Sequence, residues 1–380
     1  MAKLELIATA AFGIEAVVAR EIKELGYEDI TVENGRVIFT GNEEAICKSN
    51  LWLRCADRVY LKVGEFVATT FEELFQQVKA LPWENYLGID ANFPVNAKSV
   101  KSKLFSLSDI QAISKKAIVE KMKSIYMQDW FEESGAKYPI MVSILKDKVT
   151  VSIDTSGAGL HKRGYREVGS EAPLKETLAA AMIKISRWRP DRVLIDPFCG
   201  SGTIPIEAAL IGRNIAPGIN RSFISEEWDM IPKDIWKKVK KEAYEAMEYD
   251  RELEIYGYDI DGRIAKIAIN NAEEAGVEDC IHFQRRPMSE LSSKKKYGYI
   301  VCNPPYGERL SEKKEVERLY KEMGKVFTKL DTWSYYVITS HEEFQQCFGK
   351  KADKNRKLYN GRIKCYYYQY FGPRPPRRSE

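Results

Sequence analysis

The chain has 380 residues, 44% of them hydrophobic, and 59 basic against 55 acidic side chains leave a net charge of +4. That length calls for two or three domains, and so mild a charge permits a nucleic-acid partner without demanding one. There is no secretory signal and no run of about 18 apolar residues to span a bilayer, while seven cysteines without C-x-x-C spacing and only three histidines point to reduced cytoplasmic thiols rather than a disulfide framework or a metal site.

The first 65 residues alternate strand and helix. Residues 4–8 read as a strand, and Ile14, Val17, Val18, Ile22 and Leu25 mark one helical face. Strands at 29–33 and 36–40 flank Asn34-Gly35, a strong hairpin turn. A helix over 43–53 and a strand over 58–65 complete the order βαββαβ of a small ferredoxin-like unit. A second α+β unit follows over 66–155. Its signals are capping boxes at Thr70–Glu73 and Ser108–Gln111, a strand over 93–98, and a hairpin of 140–145 with 149–154. Ser156, Gly157 and Gly159 then read as a linker.

Beyond the linker the pattern changes to strands alternating with long helices, the mark of a parallel sheet. Strands are expected at 193–195, 255–258, 281–284, 299–302 and 335–339. The last two, 357–359 and 362–371, flank Asn360-Gly361 as a hairpin. An insertion containing Trp228 and Trp236 must fill the gap between the first two strands of this half. An open parallel sheet closed by an antiparallel hairpin is the arrangement of class I methyltransferases.

Three motifs carry chemistry. In Asp196-Pro-Phe-Cys-Gly-Ser-Gly-Thr203 a strand runs into an acid, two glycines and a helix start. The glycines let backbone approach a ligand, and the helix adds N–H donors. An acid in that turn repels a pyrophosphate but suits a cationic sulfonium and an ammonium. Gly257-Tyr-Asp259-Ile-Asp261 ends the next strand with a carboxylate able to accept from ribose hydroxyls. It lies far beyond the roughly 20 positions of a dinucleotide fingerprint, and an Asp at that place is also a common helix cap. Asn303-Pro304-Pro305-Tyr306 is the most specific. An exocyclic base amine is a poor nucleophile because its lone pair is conjugated. The Asn303 side-chain oxygen and the Pro304 carbonyl can draw its N–H groups toward a pyramidal nitrogen. Pro304 and Pro305 stiffen the loop, and Tyr306 can stack on the base. Cys199 and Cys302 read as buried, inert thiols.

On these motifs the chain resembles the THUMP-domain RNA methyltransferases, specifically the bacterial large-subunit rRNA guanine-N2 group, whose members were often labelled N6-adenine DNA methylases. His161-Lys-Arg-Gly-Tyr-Arg166 and Ala172-Pro-Leu-Lys-Glu-Thr-Leu-Ala179 share in the likeness, as does Asn303 through Leu310. The resemblance implies an α/β protein: a ferredoxin-like unit at 1–65, a THUMP RNA-binding unit at 66–155, a class I S-adenosylmethionine-dependent domain at 160–372 and a basic tail at 373–380. It implies that Asp196, Phe198, Gly200, Gly202, Thr203, Asp259, Asp261 and Met288 hold the cofactor, with Lys175, Glu176 and Thr177 near it. Arg285-Arg-Pro-Met288 departs from the acidic residue usual at that point, leaving adenine to backbone near Met288. The expected acceptor is guanine N2 of large-subunit ribosomal RNA, gripped through Lys98, Lys101, Lys103, Lys162, Arg163 and Arg166, with no metal and no membrane. A DNA adenine-N6 methyltransferase and a non-catalytic RNA-binding assembly factor stand as alternatives.

Overall fold

The computed structural model describes residues 3–166, 174–307 and 310–376, and the side chains of all of these except 310–312. Ala172, Pro173, Glu308, Arg309, Arg377 and Arg378 of the sequence reading lie outside the described residues. The chain divides into two compact units. The first holds Met1–Thr9, Ala19–Leu160 and Arg221–Glu242, and the second Ala10–Val18, His161–Asn220 and Ala243–Glu380.

In the first unit the elements run β1 (Leu4–Thr9), α1 (Glu15–Glu24, its start grouped with the second unit), β2 (Ile30–Glu33), β3 (Arg36–Gly41), α2 (Glu43–Trp52) and β4 (Arg58–Val67). They continue through α3 (Phe71–Lys79), β5 (Val95–Val100), α4 (Leu107–Tyr126), β6 (Ile140–Leu145) and β7 (Lys148–Asp154). Sequence reading separates two small units at residue 65, but β4 runs through that point. Its residues Arg58–Leu61 pair with β1 and Tyr60–Val67 with β7, giving one seven-stranded sheet in the order β2-β3-β1-β4-β7-β6-β5. A bulge between Lys62 and Gly64 absorbs the register change.

Local chemistry explains most of these elements. Thr70 and Glu73 form the expected capping box at α3. Ser108 does not cap α4: the N-cap is Ser106, and Ser108 lies inside the first turn. The presumed linker is not slack either. Thr155 and Ser156 are fully buried, and the Ser156 hydroxyl donates to Asn50 Oδ1 at 2.6 Å while accepting from the Val59 N–H at 2.9 Å.

The Trp-bearing insertion belongs to this first unit. Trp228 stacks on Tyr138 with ring centroids 4.7 Å apart, and its indole N–H donates to the Lys137 carbonyl at 2.9 Å. Ser225 Oγ donates to the Thr155 carbonyl at 2.8 Å, and Arg221 donates to the carbonyls of Ala158 and Gly159. The helix that follows, α7 (Lys233–Glu245), places Lys238 against Glu44 at 3.3 Å.

The second unit carries α5 (Glu176–Ser186), β8 (Leu194–Asp196), α6 (Thr203–Gly212), β9 (Ile255–Asp259), α8 (Gly262–Ala275), β10 (Ile281–Arg285) and β11 (Tyr299–Cys302). It ends with α9 (Leu310–Phe327), β12 (Ser334–Thr339), α10 (Phe344–Phe348), β13 (Lys354–Asn360) and β14 (Ile363–Tyr370). The sheet order is β10-β9-β8-β11-β12-β14-β13, parallel up to β12 and antiparallel in the closing hairpin. That hairpin turns one residue later than expected. Asn360 still pairs with Ile363, so the turn is made by Gly361, at φ +62°, and Arg362. β8 is the middle one of the five parallel strands, where the strand order reverses. That reversal opens a crevice at the strands' carboxyl ends.

Candidate active site

β8, β9 and β11 deliver their motifs to that carboxyl edge. Asp196 ends β8 and is 1% exposed. Its Oδ1 accepts from the Phe198 N–H at 3.0 Å. Burial, reinforced by the charge of Asp259, pushes its carboxyl well above the usual aspartate range, and among the described residues no cationic side chain offsets it. A buried acid without a counter-charge fits a cationic ligand group. Gly200 (φ +52°) and Gly202 (φ +84°) both need the left-handed conformation. A Cβ on Gly200 would meet only open space, whereas one on Gly202 would come within 3.0 Å of Ala268 and Phe283. Gly200 thus bares backbone toward the crevice, and Gly202 lets α6 pack closely. Thr203 begins α6, and Phe198 is half-buried beside the core.

Asp259 is held by two backbone donors, Gly200 N–H at 3.1 Å to Oδ2 and Asp261 N–H at 3.0 Å to Oδ1. The β8 turn and the end of β9 are therefore locked to one another. Each oxygen keeps lone-pair capacity for a hydroxyl. Asp261 takes the other role open to it in the sequence. It caps α8 by accepting from the Arg263 N–H at 2.9 Å and pairs with the Arg263 guanidinium at 2.9 Å. Met288 is buried, and the Arg286 N–H fixes the Asp259 carbonyl at 2.9 Å while its guanidinium lies over the Tyr258 ring. Lys175 at the start of α5 is exposed, whereas Glu176 and Thr177 are buried.

Asn303 follows β11, and its side-chain oxygen is already engaged. Tyr306 Oη donates to it at 2.6 Å. Tyr306 is turned inward rather than presented for stacking, and burial first, then the neighbouring Cys365, drives its phenol far above the usual range. The loop is braced from α9 by Tyr320, a residue that sequence reasoning missed. Its hydroxyl donates to the Pro305 carbonyl at 2.7 Å and lies 2.9 Å from Thr339 Oγ1. The only hint was the helical spacing of Val316, Tyr320 and Met323, which reads simply as core. Burial raises the thiols of Cys199 and Cys302 well above their ordinary range, so both are inert as expected.

The expected RNA contacts divide. Arg163 is 4% exposed and paired at 3.3 Å with the fully buried Glu207, which also accepts from the Tyr165 hydroxyl. Arg166 donates to the Leu174 carbonyl and to Thr203 Oγ1 and pairs with Glu176. Both arginines brace the catalytic unit and are withdrawn as phosphate contacts. Lys162 remains exposed. Lys98 is exposed on β5, yet burial of its ammonium and the nearby Arg36 lower its basicity. Lys101 and Lys103 stand on a loop locked to the β6–β7 turn, where the Lys103 N–H donates to Asp147 Oδ1 at 2.7 Å and the Asp147 N–H to Ser102 Oγ at 3.1 Å. That turn adds Lys146, at φ +52° and exposed, and Phe105 beside them is 80% exposed.

Three family descriptions match the chain in succession: an RlmL ferredoxin-like domain over residues 5–60, a THUMP domain over 68–154 and an RMKL-like methyltransferase domain over 163–369. The Bacillus subtilis (strain 168) protein named "Putative RNA methyltransferase YpsC" is 54% identical over 100% of this chain and 99% of its own length. The ribosomal RNA large subunit methyltransferase K/L of Psychromonas ingrahamii is 34% identical over 96% of this chain, which spans 50% of that longer protein. The crystal structure of SMU.472, described as "a putative methyltransferase complexed with SAH", superposes with a TM-score of 0.94 at 51% identity, covering 99% of this chain and 100% of the other. The chain belongs to the RMKL-like methyltransferase family, its class I catalytic sheet preceded by ferredoxin-like and THUMP domains.

Proposed function

We propose that this chain is an S-adenosylmethionine-dependent methyltransferase acting on an exocyclic base amine of RNA, namely guanine N2 of large-subunit ribosomal RNA. The observation that carries the reading is the pairing, on one sheet edge, of a buried uncompensated Asp196 with an Asn303-Pro-Pro-Tyr306 loop. The first suits a cationic cofactor and the second an amine acceptor. The relatives' names, one an RNA and one a ribosomal RNA methyltransferase, support the choice of RNA. The name of SMU.472 as complexed with SAH supports the cofactor.

In this reading residues 66–155, with Lys101, Lys103 and Lys146 at their rim, grip RNA through its phosphates. Residues 160–372 do the chemistry. The bound cofactor supplies an electrophilic methyl group. Asp196 faces its cationic end, Gly200 admits it to the backbone, and Asp259 takes the ribose. Asn303 Oδ1 and the Pro304 carbonyl accept from the two amine N–H groups, which frees the nitrogen lone pair from the ring. The base must be unstacked to reach that loop. Orientation alone supplies much of the rate, so the rigidity given by two prolines and the Tyr320 brace matters.

The test is transfer of tritiated methyl groups from S-adenosylmethionine to RNA and to DNA from cells lacking this protein, followed by nucleoside analysis. N2-methylguanosine in the RNA is the expected product. N6-methyladenine in DNA overturns the substrate, and no transfer to either overturns the activity.

A further inference from the structure

β11 and β12 are parallel neighbours, with Cys302 opposite Val337. The Asn303-Pro-Pro loop and residues 340–341 therefore leave the sheet side by side. Tyr320 joins them, bonded at once to the Pro305 carbonyl and to Thr339 Oγ1. His341 completes this wall. Its backbone N–H donates to Thr339 Oγ1 at 3.1 Å, and its ring meets Tyr320 nearly edge-on, with centroids 5.5 Å apart at 87°. The residue is only 9% exposed. Neither Nδ1 nor Nε2 has a hydrogen-bond partner among the described residues, and neither reaches solvent.

Folded proteins rarely leave such a group unsatisfied, and a buried polar side chain without a partner is a sign of one still to come. A neutral imidazole carries one N–H donor and one lone pair. The ring edge beside an exocyclic base amine offers their complement: one ring nitrogen next to the amine is an acceptor in adenine and cytosine, and guanine carries an N–H donor on one side of its amine and an acceptor on the other. We propose that His341 is a specificity-determining residue of the acceptor site. It hydrogen-bonds the ring-nitrogen edge of the target base, next to the amine that Asn303 engages. The proposal rests on the base-amine reading above and deepens it. Asn303 selects an amine, and His341 selects what stands beside it. It also gives the Tyr320 brace a purpose, since the two loops must keep a fixed separation for one base to touch both.

The experiment compares wild type with His341→Phe, which keeps an aromatic ring against Tyr320, and His341→Gln, which restores a donor and an acceptor. Steady-state methyl transfer to RNA from cells lacking this protein is measured at saturating S-adenosylmethionine, with melting temperature and cofactor affinity for each variant. The expected result is a loss of about tenfold or more in kcat/KM for His341→Phe, partly recovered in His341→Gln, with melting temperature and cofactor affinity as in wild type. Unchanged kcat/KM in His341→Phe sinks the proposal and leaves the wider reading intact. So does a loss that tracks reduced melting temperature or cofactor affinity and is no smaller in His341→Gln. If wild type methylates DNA instead, the RNA reading falls and the same comparison on DNA decides the role of His341. A wild type that methylates neither removes both.

Discussion

Tyr306 Oη sits 2.6 Å from Asn303 Oδ1 and donates to it, occupying one lone pair of the oxygen that the proposed reading assigns to the substrate amine. The two residues that sequence reading assigns to one substrate hold each other in its absence. In the proposed reading a base entering the site either shares that oxygen through its second lone pair or displaces the phenol, which is then free to turn onto the base.

Tyr306→Phe separates these roles. It removes the competing donor and keeps the ring. A neutral hydrogen bond is worth about 1 kcal/mol net, so kcat/KM on RNA is expected to stay at wild type or rise by up to about fivefold. Tyr306→Ala loses the ring and should cost about 1–3 kcal/mol of base binding. A fall of two orders of magnitude in Tyr306→Phe means that the hydroxyl acts in the reaction itself.

Asn303→Ala should abolish turnover and leave cofactor affinity unchanged, because among the described residues its oxygen bonds only Tyr306. Calorimetric titration with S-adenosylmethionine and a methyl-transfer assay read the two effects separately. Normal turnover reduces the motif to a turn.

Asp196 gives a pH dependence with a definite sign. Burial raises its folded pKa above the unfolded value. Its contribution to stability is full below the ordinary aspartate range and is lost as pH rises through the folded pKa. Asp196→Asn should therefore raise the melting temperature at neutral pH and lose that advantage at acid pH. The same change should weaken S-adenosylmethionine by about tenfold, roughly 1.4 kcal/mol. Unchanged cofactor affinity in a folded Asp196→Asn protein rules out Asp196 as the cation's partner.

Basic residues that look alike in sequence should behave differently. Arg163→Ala strands the buried Glu207 and should destabilise the fold by about 3–5 kcal/mol. Lys101→Ala with Lys103→Ala and Lys146→Ala should leave stability alone and flatten the salt dependence of RNA binding by roughly one counterion for each lysine removed. Thermal melts and RNA affinity against salt decide. An unaltered slope places the grip elsewhere.

Truncation is a stricter test of the two units. Removing residues 1–155 strips Trp228 of its stacking partner Tyr138. That fragment should aggregate or bind a hydrophobic dye. A version that also replaces residues 221–242 by a short Gly-Ser linker should aggregate less and bind cofactor, since Asn214 and Ala246 are already bonded at 3.0 Å across the gap, while loss of Ala10–Val18 from the second unit lowers its melting temperature. A well-behaved simple truncation contradicts the role given to the insertion.

The strands and helices were legible because their cues are local: alternation in β6, the Thr70 capping box, the Asn34-Gly35 turn, the Asp196 and Asn303 motifs after apolar strands. What was hidden depends on contacts far along the chain. Arg163 and Arg166 read as a surface cluster because nothing nearby in sequence announces Glu207 or Thr203 as partners. Lys146 falls between the two strands of the expected hairpin, and only the interlock with Ser102 and Lys103 places it in a basic group. Tyr306 read as a stacking surface because its bond to Asn303 depends on a loop conformation that residue types do not specify.

The excursion of Arg221–Glu242 into the first unit also sets a timetable for synthesis. Tyr138 and Thr155 emerge from the ribosome long before Trp228 and Ser225, which cover them. At roughly 5–20 residues per second, the stretch from Leu160 to Glu242 takes about 4–16 s to appear. For that interval the amino-terminal half waits with an uncovered aromatic face, and its folding finishes only after the cofactor turn has been translated. The nascent chain cannot mature strictly from one end to the other, and its amino-terminal unit is completed by a segment encoded inside the catalytic domain.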